Sequence, residues 1–337
     1  MNIIEILPNL FKVEVPLPRN PLKAVNSYII KADKPLVIDT GFDMDLCYTT
    51  LTSALNKVGI DFRHADYFIT HLHADHIGLA GRLTDKVYMS EIDAKIFYSE
   101  KSNLKNWYEH LEYLWINGFP KDYSEKILDI HPGIKYSGNF SNVSFITVKD
   151  GEGLDYADYH LKAVLTPGHT PGHMCLYDEE KKVLFSGDHI LFDITPNISY
   201  WKGHESLGEY LKSLDKIYAL EVSLTLPGHR NYSKDVKKRI LELKEHHKKR
   251  LNEIINALKD GPKNAWQIAK YISWDLKYND WEQIALTQKW FIVDETIAHL
   301  HYLENKGIIT GELENEIIIW HLTNLKYLNT YWNDIIY

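Results

Sequence analysis

The stretch YFITHLHADHIGLAG, residues 67–81, decides the fold. An apolar strand pattern, YFIT, runs directly into four side chains that bind metal ions well: His71, His73, Asp75 and His76. His71 and His73 alternate along an extended segment, so both side chains point to the same side. Asp75 and His76 follow in the next turn. A strand that ends in three imidazoles and a carboxylate indicates a metal site at the edge of a sheet.

Further candidate ligands follow other apolar strands of the chain. Asp39 ends LVID, His169 lies in LTPGHTPGH, Asp188 in LFSGDH and His229 in LTLPGH. A single histidine is usually a surface residue or a satisfied core residue. Strand ends that are distant in sequence can converge on one cleft. The repetition of metal-binding side chains at successive strand ends therefore favours one shared site.

The candidate ligands are numerous enough for two divalent cations. One ion would take three imidazoles: His71, His73 and His169. The second ion would take a mixed set: Asp75, His76 and His229. Asp188 remains, and its two carboxylate oxygens can bridge the ions. Imidazole suits zinc and carboxylate tolerates it, while a hydroxide held between two such ions is a strong nucleophile at neutral pH.

The composition and charge of the chain limit the classes of protein to which it can belong. The chain has 337 residues, of which 45% are hydrophobic and 25% charged, and its net charge of -8 disfavours a general nucleic-acid binder. Cys47 and Cys175 have no metal-type spacing, and we interpret them as buried thiols in a reducing compartment. The N-terminus lacks a basic start followed by an apolar core, and no apolar run approaches the about 20 residues of a membrane span. We therefore expect a cytoplasmic protein without membrane association, with a homodimer left open.

The order of the predicted elements indicates two sheets covered by helices. Short strands alternate with helices in two similar halves of residues 1–232. A helical insert interrupts them at about residues 90–130, and Ser90 with Asp93 three residues later predicts a capping box at its start. The aromatic part of this insert, residues 107–119, either lines the cleft or packs as an ordinary helix.

The C-terminal third has a different pattern. A linking helix is predicted at 233–261 with Ser233 as its N-cap, and KDGP marks a boundary at its end. The basic polar face of this helix is either a solvated surface or a set of cations near His229 that would meet an anionic substrate. Two helices and a β-hairpin over 262–326 are typical of a winged-helix domain, with a tail at 327–337. We expect this domain to be an accessory module without metal ligands, whose removal leaves the metal content near normal.

The quoted motifs resemble those of the metallo-β-lactamase superfamily. HLHADH is similar to its H-x-H-x-D-H signature, and VIDTG, TPGHTPGH, SGDHIL and LPGHR look like its other motifs in family order. The resemblance implies an α/β fold, an αββα sandwich with a dinuclear site at one edge, and a role for Asp39 in holding a ligand in place. The C-terminal third resembles the lactamase-beta-two-like group, in which a small winged-helix domain follows the sandwich.

The resemblance implies a dinuclear zinc hydrolase with a bridging hydroxide, and a small acyl ester, lactone or thioester is the favoured substrate. Asp75 would carry protons as a general acid–base, while Asn197 and Tyr200 could contact substrate. True β-lactamases of this fold lack a bridging aspartate like Asp188, which argues against antibiotic breakdown. Two alternatives stay open: a metal-dependent endoribonuclease of the lactamase-beta-two-like type, and an iron-dependent persulfide dioxygenase or a non-catalytic member. Six lysines against ten acids from Pro262 onward weaken the ribonuclease alternative.

Overall fold

The computed structural model of the chain describes residues 3–102, 105–276 and 280–323. The predicted tail at 327–337, and the end of the predicted winged-helix domain at 324–326, lie outside these residues. Within them, one sheet has its strands in chain order, antiparallel from β1 to β4 and parallel from β4 to β7. Its strands are β1 (Ile3–Leu7), β2 (Leu10–Pro16), β3 (Ala24–Ile30), β4 (Leu36–Ile38), β5 (Asp66–Phe68), β6 (Lys86–Ser90) and β7 (Ser144–Val148).

A second sheet has the strand order β12-β11-β10-β9-β8. The pair β11 and β12 is parallel, and the other pairs are antiparallel. Its strands are β8 (Gly153–Tyr156), β9 (Tyr159–Leu165), β10 (Met174–Asp178), β11 (Val183–Gly187) and β12 (Leu224–Pro227). A separate hairpin follows near the C-terminus, formed by β13 (Ile309–Glu314) and β14 (Ile317–Leu322).

The helices flank the two sheets and build the C-terminal third. They are α1 (Asp45–Lys57), α2 (Ala74–Ile77), α3 (Ala80–Leu83), α4 (Glu91–Ser102), α5 (Lys105–Ile116), α6 (Ser124–Ile130), α7 (Pro132–Lys135), α8 (Ser206–Tyr218), α9 (Val236–Lys259), α10 (Ala265–Ala269) and α11 (Leu286–Asn305). In the described part of the chain, each helix is too short or too polar to cross a membrane.

The two sheets pack face to face, as the predicted sandwich requires. Tyr28 and Phe68 of the first sheet share a buried cluster with Leu176 and Phe185 of the second, and the rings of Tyr28 and Phe185 meet edge to face at 5.5 Å. Side chains alternate along a strand, so the neighbours of Leu176 point outward into a second cluster under helices α8, α9 and α11. Helix α1 covers the outer face of the first sheet. The predicted αββα fold is confirmed.

The start of the long helix differs from the prediction. Helix α9 begins at Val236, and its N-cap is Asp235, whose carboxylate accepts a hydrogen bond from the Lys238 N–H at 3.1 Å. Ser233 was the predicted cap, but its backbone pairs with Thr225 beside β12, which holds it outside the helix. Its hydroxyl accepts instead from the Asp235 N–H at 3.2 Å. The prediction failed because two good capping residues lie close together in sequence.

The C-terminal third contains the predicted order of two helices and a hairpin. Asn264 and Gln267 form a reciprocal capping box at the start of α10. The hairpin turns at Asn315 and Glu316, both with positive φ, as a two-residue turn of type I′ requires. The assignment of this segment to the winged-helix class stays a prediction. Its helices share one apolar cluster with the outer face of the second sheet, because Leu300 and Trp320 lie in the same cluster as Leu184.

A substitution in this shared cluster should destabilise the whole chain. Leu300→Ala removes a fully buried side chain of α11, and we expect a loss of about 2–5 kcal/mol in the free energy of unfolding, in one cooperative transition. Denaturant unfolding followed by both circular dichroism and tryptophan fluorescence measures it. Leu313→Ala, at a side chain that is 69% exposed, is the control and should change stability by less than about 0.5 kcal/mol. Separate transitions for the two probes would show that the C-terminal third folds independently.

Candidate metal centre

The loop after β5 brings the first candidate ligands together. His71 and His76 are fully buried, while His73 and Asp75 are partly buried and face a cleft. His73 is extended and precedes the short helix α2, so His71 and His73 approach each other, with 3.1 Å between His71 Nε2 and His73 Nδ1. Asp75 and His76 lie within α2. The strand thus delivers two imidazoles and the following turn delivers a carboxylate and a third imidazole.

The second sheet supplies the remaining candidates from the ends of its strands. His169 follows β9, Asp188 follows β11 and His229 follows β12. Asp188 lies between the other residues: its Oδ2 is 3.8 Å from His169 Nε2 and 3.4 Å from His229 Nε2, and its Oδ1 is 3.5 Å from His76 Nε2. Asp75 Oδ2 is 3.2 Å from His229 Nε2.

Three groups of ligand atoms lie close enough to hold a metal ion. They are His71, His73 and His169; Asp75, His76 and His229; and His71, His76 and Asp188. The first two groups have the membership that the sequence analysis assigned to two separate ions. The third contains Asp188, which contacts members of both sets, as a bridging carboxylate must.

Several of these atoms are buried and form no well-directed hydrogen bond. Among the described residues, this holds for the Nε2 atoms of His76, His169 and His229 and for the Oδ1 of Asp188, although each of the three nitrogens lies within 3.8 Å of a carboxylate oxygen. A buried polar atom without a partner costs about 1–3 kcal/mol. Imidazole nitrogens and carboxylate oxygens that point at one another fit a divalent cation, and zinc accepts this set of donors. The donor set therefore fits the ions that the fold family implies.

The opposite nitrogen of each of these imidazoles is held by the protein. His76 Nδ1 lies 2.8 Å from Asp39 Oδ2, His169 Nδ1 lies 2.7 Å from the Asn197 carbonyl oxygen, and His229 Nδ1 lies 2.7 Å from the Ala24 carbonyl oxygen. Partners of this kind fix the tautomer and the ring orientation of a metal-binding histidine. Each ring is thus turned so that its Nε2 faces Asp188.

Asp39 occupies the position expected of a residue that holds a ligand in place. Besides facing His76, its carboxylate accepts hydrogen bonds from the Thr70 N–H at 2.9 Å and from the Thr70 hydroxyl at 2.9 Å. The Thr70 hydroxyl lies 3.0 Å from His71 Nδ1. Asp39 itself has a φ of 61°, an uncommon value that Asp tolerates better than most residues. One buried carboxylate therefore orients ligands of both candidate sets.

Burial and charge separate the imidazoles into two kinds. Burial lowers the pKa of His71, and it lowers the pKa of His73 to about 3. Burial opposes the charge of His229 as well, but the carboxylates of Asp188 and Asp75 outweigh it and raise the pKa of His229 to about 10. Burial alone would raise the pKa of Asp75, but His76 and His229 lower it to about 2. Burial would also raise the pKa of Asp188, but His229 and His76 hold it well below its usual range. Asp75 and Asp188 are thus both ionised and attract a cation.

Asp93 supports the loops that carry the candidate ligands, in addition to the helix-cap position predicted for it from the sequence. The Ser90 hydroxyl accepts a hydrogen bond from the Asp93 N–H, as in a capping box, but the Asp93 carboxylate does not complete it. The carboxylate accepts instead from Leu72 N–H at 2.9 Å, Thr170 hydroxyl at 2.7 Å and Gly172 N–H at 2.6 Å. Asp93 thereby joins the loop after β5 to the loop after β9. The S-x-x-D pattern alone cannot distinguish these two uses.

His173 and Trp201 also support the candidate ligands, although neither was predicted from the sequence. His173 Nε2 accepts a hydrogen bond from the Asp188 N–H at 3.2 Å, and its Nδ1 lies 2.8 Å from the Thr166 hydroxyl. The Trp201 indole N–H donates to the His169 carbonyl oxygen at 3.3 Å, and its ring stacks near His73. The second histidine of TPGHTPGH was a signal available in the sequence, whereas Trp201 carried none.

The candidate ligands open onto a cleft of about 1140 Å³. His73, Asp75, His169 and Asp188 line it, together with aromatic side chains from the insert, from the loop after β11 and from α11. These side chains are Trp107, Tyr113, Tyr200, Trp201, Trp290 and Phe291. The aromatic insert has both of the roles considered for it, because Trp107 and Tyr113 line the cleft while Leu111 and Leu114 pack in the core.

Asn197 and Tyr200, the predicted substrate contacts, both line this cleft. Asn197 is already engaged: its carbonyl holds His169, and its side-chain amide donates to Glu295 Oε2 at 2.7 Å. Tyr200 stacks on Tyr113 with 4.4 Å between ring centroids. Tyr200 therefore belongs to the cleft surface, and Asn197 belongs to the support of a candidate ligand.

The basic face of α9 contributes no described residue to the lining of the cleft. Two of its cations contact residues of the cleft wall, because Arg239 donates to the Leu191 carbonyl oxygen and Arg250 pairs with Glu295. Lys244 pairs with Asp215 instead. The hypothesis that this face presents cations to an anionic substrate beside His229 stays a prediction.

A glycine beside the candidate ligands provides a test of their crowding. A Cβ at Gly228 would lie 2.4 Å from Asp188 Oδ1 and 2.8 Å from His76 Cε1. We expect Gly228→Ala to displace both side chains and to weaken zinc binding by at least about tenfold, as for other disruptions of ligand support. Zinc titration against a chromophoric chelator measures it. Gly153→Ala, where a Cβ meets nothing within 4 Å, is the matched control, and equal affinities in the two variants would contradict this arrangement.

Comparisons with known proteins place the chain in a family. The sequence profile of the metallo-beta-lactamase superfamily matches residues 20–229. The beta-lactamase-like protein 2 homolog of Caenorhabditis elegans is 30% identical over 244 residues, which are 71% of this chain and 67% of that protein. A probable metallo-hydrolase of Bacillus subtilis is 22% identical and covers 86% of this chain and 91% of its own length. The chain spans only 60% of the length of a lactamase-like protein of Aspergillus niger that it also matches.

The solved structures agree. A metallo-beta-lactamase family protein from Thermus thermophilus superposes with a TM-score of 0.78 at 29% identity, over 94% of this chain and 100% of that one. This coverage extends beyond residue 229, so the C-terminal third takes part in the similarity. The chain belongs to the metallo-beta-lactamase superfamily, and the prediction of a metal-dependent hydrolase is confirmed at the level of that family.

Proposed function

We propose that the chain is a dinuclear zinc hydrolase that cleaves a small acyl ester, lactone or thioester. The observation that carries the proposal is the convergence of unpaired, buried Nε2 atoms on the carboxylate of Asp188, beside an aromatic cleft. One set of residues would hold the first ion: His71, His73 and His169. A second set would hold the other: Asp75, His76 and His229. Asp188 would bridge the two ions, which when bound would supply a hydroxide nucleophile at neutral pH.

Asp75 is the group best placed to move a proton. Its side chain remains 13% exposed, and it lines the cleft where a substrate would lie. An ionised carboxylate at this position can accept a proton from the attacking water. The same carboxylate can then return the proton to the leaving group. Asp188 is more deeply enclosed, which favours a holding role for it.

The cleft supports a substrate with an apolar part. Its walls are rich in aromatic rings, which bind apolar groups and offer few hydrogen bonds. One cation on its wall, Lys202, is paired with Glu109 at 3.1 Å. One polar pair on the wall comes from two elements, with 3.2 Å between His110 Nε2 and Asp294 Oδ1. A wall of this kind suits an acyl chain or ring better than a phosphate backbone.

The ribonuclease alternative receives less support from the same features. RNA binding needs a surface that neutralises phosphates, and such binding weakens steeply as salt increases. The basic face of α9 lies outside the cleft, and the chain is acidic overall. A substrate panel that includes structured and single-stranded RNA, at low and high salt, therefore separates the two functions.

The chain should contain about two metal ions when purified without added metal, because two complete donor sets share one bridging carboxylate. Elemental analysis and the substrate panel, run on the same preparation, test the proposal. We expect zinc and turnover of an ester, lactone or thioester. A single iron ion with persulfide dioxygenase activity, or turnover of RNA alone, would contradict it. Asp188→Ala should lose metal as well as turnover.

Asp75→Asn should separate proton transfer from metal binding. The amide oxygen can still face the metal site, but the group cannot take up a proton, so we expect turnover to fall by about 100-fold or more. Much of the metal should remain bound. Asp155→Asn, at an exposed carboxylate that pairs with His160 on the surface, is the matched control. Near-normal turnover by Asp75→Asn with both metals bound would show that Asp75 carries no proton.

A further inference from the structure

Glu295 lies outside the residues matched by the superfamily, yet a single residue, Asn197, links it to the candidate ligand His169. It sits on α11, 66 positions after residue 229, where the family match ends. Its side chain is 4% exposed, although carboxylates are seldom buried unless they are paired. Its two oxygens have different partners, and one of them leads to the candidate ligand His169.

The path from Glu295 to His169 consists of short hydrogen bonds. The Asn197 side-chain amide donates to Glu295 Oε2 at 2.7 Å and to the Phe291 carbonyl oxygen at 3.3 Å. The Asn197 side-chain oxygen accepts from the Ser199 hydroxyl at 2.6 Å. Both ends of the Asn197 side chain are therefore fixed. The Asn197 backbone carbonyl is held in place as a result, and it accepts the hydrogen bond of His169 Nδ1 at 2.7 Å.

Arg250 makes the burial of Glu295 possible. Its guanidinium pairs with Glu295 Oε1 and stacks over the ring of Trp274 at 4.1 Å. Arg250 is itself only 5% exposed. A buried carboxylate that is paired and fully hydrogen-bonded is a firm acceptor, whereas one that loses its partner is strongly destabilising. The pair therefore gives Asn197 a rigid anchor on a different element from the ligand loops.

A third metal ion does not account for these residues. His246 and His247 of α9 lie near Glu295, and their donor atoms are close enough together to hold an ion. Both oxygens of Glu295 already have partners, however, and the guanidinium of Arg250 would repel a cation at this position. His247 Nδ1 also faces His299 Nε2 at 3.0 Å. The Nε2 atoms of His246 and His247 have no hydrogen-bond partner among the described residues, but the carboxylate of this group is already used by Arg250 and Asn197.

We infer that Glu295 is a positioning residue for the metal centre, acting through Asn197 to fix the ring of His169. The inference rests on the proposed function, because it concerns how the ligand set of His71, His73 and His169 is held. It also gives the C-terminal third a part in the site, contrary to the expectation that this segment could be removed with the metal content near normal. Supporting residues of this kind typically change metal affinity by about 10–100-fold when replaced.

A swap of the two partners tests this inference. Asn197→Asp places a second carboxylate against Glu295, and Glu295→Gln places an amide against the Asn197 amide. Each single variant should weaken zinc binding at one of the two sites by about 10–100-fold and leave the other site nearly unchanged. The double variant restores an amide–carboxylate hydrogen bond with donor and acceptor exchanged, although it loses the donation to the Phe291 carbonyl and the charge partner of Arg250, so it should recover part of the lost affinity. Stepwise zinc titration with a competing chelator measures all four proteins.

Two controls separate positioning from general stability. Ile297→Ala removes a buried apolar side chain from the same helix without touching the path; it should lower the melting temperature and leave both zinc affinities unchanged. Glu295→Gln with unchanged affinity at both sites would overturn the inference.

Imidazole spectra of the metal-free chain distinguish this failure from failure of the proposed function. If the natural chain does not bind two zinc ions, the proposed function fails. The ¹⁵N spectrum of the metal-free chain then still decides the inference. Loss of a protected His169 Nδ1–H in Glu295→Gln would support it, and retention of that proton would overturn it.

Discussion

The structure depends on one arrangement: buried imidazole nitrogens and one buried oxygen of Asp188 face each other without well-directed hydrogen bonds within the described residues. Each such atom costs about 1–3 kcal/mol while it stays unpaired, and the chain could have avoided this cost by turning the rings. It does not, because the other nitrogen of each ring is bound elsewhere, by Asp39, by the Asn197 carbonyl or by the Ala24 carbonyl. The folded chain therefore concentrates these imidazole nitrogens and the Asp188 carboxylate at one point, where a bound cation would be stabilised. A divalent cation bound at this point would pair these atoms, and the hydrogen bonds to the opposite ring nitrogens hold the donors in place.

This arrangement explains why the two sheets meet as they do. The loop after β5 belongs to the first sheet, and the loops after β9, β11 and β12 belong to the second. Asp93 joins the loops of both sheets through one carboxylate, and the carbonyl of Ala24, at the start of β3, holds His229 of the second sheet. Close approach at the centre also explains Gly228, where any side chain would collide with Asp188. The contacts that hold the candidate ligands together are therefore also contacts that fix how the two sheets pack at this edge.

Much of this could be predicted from the sequence, and the reasons are physical. Metal ligands must be of a few residue types, at spacings that a strand end can present, so HLHADH and the later strand ends were informative about fold and candidate ligands. Supporting residues are less constrained. Asp93 resembled an ordinary helix cap, and the cap of α9 fell on Asp235 because Ser233 pairs beside β12. Glu295 carried no local signal, since its partner Asn197 lies 98 positions away. Contacts between residues so far apart in sequence follow from tertiary packing, and a local sequence pattern gives no information about them.

The walls of the cleft are less constrained in residue type than the metal ligands and their supporting residues. A metal ligand must have a particular chemistry, but an apolar wall can be built from any aromatic residue on any element that reaches it. Here the insert, the loop after β11 and α11 each contribute rings, and none of these aromatic residues belongs to a ligand motif. Helix α11 has two roles at once, because Phe291 lines the cleft while Glu295, one turn later, anchors Asn197. A change in this helix that altered the wall would also move the support of His169. The proposed role of Glu295 would therefore couple selectivity for the substrate to retention of the metal, through a segment that lies outside the range matched by the superfamily.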